Sequence, residues 1–288
     1  MSELVTPPLP TPAGWDHPAV PPSPAPPRPE RRRGLVGSLL AVLAGGAKYG
    51  VALLKLGKFG PTLVSMVLSL GALTLFYGPA FGVGLLALIA VHETGHLLFA
   101  RREGIAVGLP VFLGPFGAVI GLRQPPRDAR QEAVIAIGGP VVGTAGALVV
   151  LLWGLSLPDG YLHGLLVSLA YFGFFLNLFN LVPMSPLDGG RVASALSRWA
   201  NVLGLAVIAG LVVVMIGAGT LNPFLLLILL IGGLSTVQRF RQARLHPEYS
   251  VMPPATRLWI GAAYLGMLAI TAIGMTFTHG QLPVRAGL

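Results

Sequence analysis

Val91-His92-Glu93-Thr94-Gly95-His96 lies inside an apolar run, about Ala80 to Ala100, that is long enough to cross a bilayer. A helix turns once per 3.6 residues, so His92 and His96 share a face and can hold one metal ion, with Glu93 beside them. Ionisable side chains are expensive in a membrane span, and three at metal spacing in one helix argue for function. The competing reading is a chance match, with His92 and Glu93 as polar packing groups.

Outward from this stretch, the 288 residues are 54% hydrophobic and only 10% charged, which is not the balance of a soluble chain. Nearly charge-free runs fall at about Thr62 to Tyr77, Ala80 to Ala100, Ala133 to Leu155, Tyr161 to Val182, Val202 to Gly217, Pro223 to Val237 and Leu258 to Phe277. They predict an all-α polytopic membrane protein with six to seven transmembrane helices. Only Gly78-Pro79 separates the first two, so these form a tight antiparallel pair. The stretch Ile105 to Leu122 is apolar but studded with Gly and Pro, which predicts a membrane re-entrant β-hairpin-like loop. Non-helical backbone at membrane depth needs protein or a water-filled cavity to satisfy it, so this loop is expected to border the site.

Four regions follow. Residues 1–33 are rich in Pro and poor in apolar bulk, and read as a disordered tail or a Pro-rich docking ligand. Residues 34–60 carry Lys48, Lys55 and Lys58 at helical spacings and read as an interfacial amphipathic helix, with a crossing over Leu35 to Leu54 as the alternative. Residues 61–200 form the catalytic membrane core, and 201–288 the C-terminal transmembrane helices. The N-terminus has Pro where a cleaved signal peptide would need an apolar stretch.

The net charge of +9 sits in short clusters between apolar runs, one of them a basic loop with Arg239, Arg241 and Arg244, and there it fixes topology rather than binding nucleic acid. If the tail is cytoplasmic and seven spans alternate, every one of the 19 Lys and Arg except Arg285 falls on the cytoplasmic side. A multi-pass protein of a bacterial cell membrane, N-terminus cytoplasmic, is expected. The His92 helix and the fourth span then end at the same leaflet.

There is no cysteine, so any zinc must be held by His, Asp or Glu. A catalytic zinc uses three protein ligands and keeps one position open, and Asp188, after the fourth span, is the best third ligand to one Zn2+ per chain. Glu93 is placed to take a proton from a metal-activated water and return it to a leaving amine. Asn180, eight residues before Asp188, could hold a substrate carbonyl or simply bond a neighbouring helix, a role that suits Asn177 better. Gly139-Pro140-Val141-Val142-Gly143 combines a kink with residues small enough for close helix contact. His17, His163, His246 and His279 lack partners at metal spacing, and Ser185 has no base nearby for a triad.

His92-Glu93-Thr94-Gly95-His96 in one span, with Asn180-Leu181-Val182-Pro183-Met184-Ser185-Pro186-Leu187-Asp188-Gly189 at the end of another, resembles the site-2 protease family of intramembrane zinc metalloproteases. The resemblance covers roughly Thr62 to Leu196. It implies that His92, His96 and Asp188 bind zinc, that Glu93 is the general base and that Asn180 helps hold the scissile peptide. It further implies hydrolysis in or near transmembrane segments of membrane-protein substrates, with the hairpin edge pairing with an unwound substrate segment. The chain departs from the family in leaving no length for a PDZ or CBS domain, and in having Gly143 where relatives often carry Asn after Gly-Pro. A membrane metal transporter would be expected to show repeated halves, which the sequence lacks. A non-catalytic client-binding pseudoprotease is the other alternative, although nothing essential is missing.

Overall fold

The computed structural model describes residues 57–282 apart from 115–116, 198 and 221–222. The Pro-rich tail and the interfacial helix, as far as residue 56, lie outside the described residues. After a 3-10 turn at Gly57–Phe59 come α1 (Gly60–Tyr77) and α2 (Pro79–Arg102), then the strands β1 (Val107–Phe112) and β2 (Ala118–Leu122). The helices α3 (Ala129–Leu155), α4 (Tyr161–Asn180), α5 (Asp188–Leu196), α6 (Ala200–Gly217), α7 (Pro223–Leu245) and α8 (Pro254–Gly280) complete the order. Among the described residues, α1, α2, α3, α4, α6 and α8 are long and apolar enough to cross a membrane. This is an all-α polytopic membrane protein with one small hairpin.

Several boundaries differ from the sequence reading, each for a local reason. Arg239, Arg241 and Arg244 are not in a loop; they lie on the last turns of α7. Gln238 to Leu245 contain neither Gly nor Pro, and the first strong breaker is Pro247. α3 begins at Ala129 instead of Ala133 because Asp128 caps it: the carboxylate accepts the Gln131 N–H at 2.7 Å, and Gln131 Oε1 accepts the Arg127 N–H at 2.9 Å. The fourth span stops at Asn180, two residues short of Val182, and Asp188 opens the short helix α5, which the sequence reading did not anticipate.

α3 is the hub of the bundle, packed against α2, α4, α5 and α8. Lipid is as apolar as a helix face, so helices in a bilayer associate through close packing at small residues. α2 and α3 meet at Gly95, where an added Cβ would fall on the Gly138 carbonyl and 2.9 Å from Gly139 Cα. Leu73, Leu85, Ile89, Phe112 and Leu169 join α1, α2, the hairpin and α4 in one apolar cluster. Ala133, Ala136, Val192 and Tyr264 join α3 to α5 and α8 in another.

The strands pair antiparallel, with Phe112 opposite Ala118 and Val111 opposite Val119. Phe112 is buried against the core, while its neighbour Val111 and the paired Val119 are exposed, as strand alternation requires. Two serines one turn apart on α1 hold the hairpin. The Phe112 N–H donates to Ser65 Oγ at 3.0 Å, and the Gly114 N–H to Ser69 Oγ at 2.7 Å.

Candidate metal centre

One turn of α2 separates His92 from His96, and their rings stand 4.9 Å apart. The start of α5 brings Asp188 to both: Asp188 Oδ2 lies 3.2 Å from His92 Nε2 and 3.1 Å from His96 Nε2, and the two nitrogens are 3.2 Å apart. All three residues are at least mostly buried. His and carboxylate bonds to zinc of about 2.0–2.1 Å in a tetrahedron set ligand atoms about 3.3 Å apart, so the spacing fits such an ion.

Hydrogen bonds on the far side of each ring fix the tautomers. His96 Nδ1 lies 2.9 Å from the Ile135 carbonyl, which can only accept, so Nδ1 carries the proton and Nε2 offers a lone pair. His92 Nδ1 lies 2.8 Å from Asn177 Oδ1, and the Asn177 amide nitrogen donates to the Gly173 carbonyl at 2.7 Å, which keeps its oxygen turned toward His92. Two lone pairs and a carboxylate oxygen therefore converge at one point, and such a cluster of acceptors calls for a shared cation.

Glycines on α3 leave the space this arrangement occupies. A Cβ on Gly139 would fall on His96 Nε2 and 2.8 Å from His92 Nε2, and one on Gly143 would fall on Asn177 Oδ1. Glu93 is 6% exposed and its side chain makes no hydrogen bond to any described residue, so its carboxylate is buried beside the cluster with its oxygens uncommitted. Asn180 ends α4 with its amide nitrogen donating to the Leu176 carbonyl at 3.0 Å, one side-chain N–H and the amide oxygen having no partner among the described residues. The Ser185 hydroxyl accepts from Arg239 Nε at 2.7 Å.

Residues 80–159 match the model of peptidase family M50. The chain is also 35% identical over 127 residues to the putative zinc metalloprotease Rip3 of Mycobacterium tuberculosis, covering 41% of this chain and 31% of that protein. It is 29% identical over 150 residues to the probable chloroplastic zinc metalloprotease EGY2 of Oryza sativa, covering 38% and 28%. To a zinc metalloprotease of Methanocaldococcus jannaschii it is 32% identical over 110 residues, covering 38% and 31%. The segment 80–159 is similar to the M50 peptidases. The chain spans about a third or less of the length of these relatives.

The matched segment holds His92, Glu93, His96 and the α3 glycines that make room for them. Asn177, Asn180 and Asp188 come from beyond it. Sequence reasoning gave Asn177 a hydrogen bond to a neighbouring helix, and in the structure that bond is to His92 itself. Its signal was a second amide one turn before Asn180 on the same helix.

Proposed function

We propose that this chain is an intramembrane zinc metalloendopeptidase that hydrolyses peptide bonds in or near transmembrane segments of membrane-protein substrates. It would act near the cytoplasmic face of a bacterial cell membrane, with its N-terminus cytoplasmic. The observation that carries the proposal is the meeting of His92 Nε2, His96 Nε2 and Asp188 Oδ2 within 3.2 Å of one another beside the uncommitted carboxylate of Glu93. A donor set of two imidazoles and one carboxylate, with no thiolate, suits zinc. The zinc metalloprotease names of the relatives agree with this reading.

Bound there, the ion would act as a Lewis acid on the scissile carbonyl and bring the pKa of water toward about 7. Glu93 takes the proton of the attacking water, the C–N bond breaks, and Glu93 passes that proton to the departing amine. Asn180 uses its remaining N–H to hold the scissile carbonyl.

The hairpin has one edge suited to an extended substrate segment. The Phe112 N–H turns away from β2 toward Ser65, so the alternation of an antiparallel pair turns the backbone groups of Ala118 and Ile120 away from β1. The outer edge of β1 is blocked by Pro110 and Ser65, whereas β2 offers Ala118 and Ile120 to a pairing strand.

Cleavage of a transmembrane peptide by the purified zinc-loaded chain tests the proposal. Glu93→Gln is expected to keep its metal and lose about 10²- to 10⁴-fold in kcat. Equal behaviour of the two proteins, with no cleavage by either, overturns it.

A further inference from the structure

We infer that Arg239, near the cytoplasmic-side end of α7, is a positioning residue that ties the two halves of the metal site together. The halves are built on different supports. His92 and His96 sit on α2, and α3 holds them through the Ile135 carbonyl and the glycines behind the rings. Asp188 follows a turn from Leu181 to Leu187 that belongs to neither helix.

Arg239 bridges those supports. Its Nε donates to Ser185 Oγ at 2.7 Å, three residues before Asp188. Its other nitrogens reach Glu132 on α3, at 2.7 Å to Oε1 and 3.4 Å to Oε2, and the Tyr249 hydroxyl donates to the same carboxylate at 3.0 Å. Glu132 lies one turn before Ile135 on α3, so the chain of contacts runs from His96 through Ile135, Glu132, Arg239 and Ser185 to Asp188. Both ends of the ion pair are largely buried, with the Arg239 side chain 23% and the Glu132 side chain 16% exposed. The planar fork of a guanidinium can serve a hydroxyl and a carboxylate at once; an ammonium is a single point charge.

The rest of the α7 face agrees. A Cβ on Gly232 would lie 2.6 Å from the sulfur of Met184, which is fully buried beside Ser185. α6 supplies a further hold, since Asn201 Oδ1 accepts the Ser185 N–H at 2.8 Å. The helices beyond the matched segment thus set where the third ligand stands.

This inference rests on the metal-site reading, and Co2+ titration separates the two. Unaltered protein purified in detergent is expected to bind one cobalt ion with a tetrahedral absorption band. Arg239→Gln is expected to keep its helical circular dichroism, bind cobalt about tenfold or more weakly and show a shifted band. Arg239→Lys should recover little, Ser185→Ala should give part of the loss, and the Arg239→Gln/Ser185→Ala pair should be no worse than Arg239→Gln alone. Arg241→Gln, at an exposed position on the same helix, should bind as the unaltered protein does. Failure of the unaltered protein to bind cobalt overturns the metalloprotease reading. Normal binding by both it and Arg239→Gln overturns only the role of Arg239, and if Arg239→Gln does not fold, normal binding by Ser185→Ala does so.

Discussion

Asn177 shows how much of the candidate metal site depends on one neutral amide. With its nitrogen occupied by the Gly173 carbonyl, its oxygen can only accept from His92 Nδ1, and that leaves His92 Nε2 free for a cation. Asn177→Ala is expected to weaken zinc binding about 10- to 100-fold, measured by competition with a chelator, because the ring loses its fixed tautomer and orientation. Gly143→Ala should move affinity the same way, since the added methyl would fall on the Asn177 oxygen. His96 has no equivalent weak point, because its partner is the Ile135 backbone. Tyr249 is held as a donor for a different reason: burial, and next the charge of Glu132, push its hydroxyl well above the ordinary tyrosine range.

The hairpin owes its place to α1 as much as to its own pairing. Ser65 and Ser69 accept two backbone N–H groups that β1 and its turn could not satisfy within a two-stranded sheet. Replacing both serines with alanine leaves those donors unpaired, at a cost of about 1–3 kcal/mol each where they are buried. Amide hydrogen exchange of residues 107–122 should quicken in the double variant while zinc content stays the same; unchanged exchange would show that the pairing alone holds the hairpin. The hairpin itself was legible, because Gly and Pro crowd an apolar stretch too poor in helix formers to be a span. The last turns of α7 were not, since clustered arginines read as a loop until their partners Glu132 and Ser185 are in view. α5 was hidden by Gly189 and Gly190, which tolerate a helix here because their missing side chains let the turn from Leu181 to Ser185 lie against it.

Across the bundle, the candidate ligand atoms from α2 and α5 meet because α3 packs against both helices. The grouping of His92, His96 and Asp188 was legible in the sequence, since ionisable residues in apolar surroundings stand out and one helical turn sets the histidine spacing. Their supports were not. Asn177, Glu132 and Arg239 are polar residues whose meaning lies in their tertiary partners, and no local pattern names those partners. The measurement that bears most directly on a shared cation site is metal analysis of the purified unaltered protein beside Asp188→Ala, both checked for intact helical content. One zinc per chain in the former and little in the latter is the expected result. Full zinc retention by Asp188→Ala would contradict a site built from these three side chains.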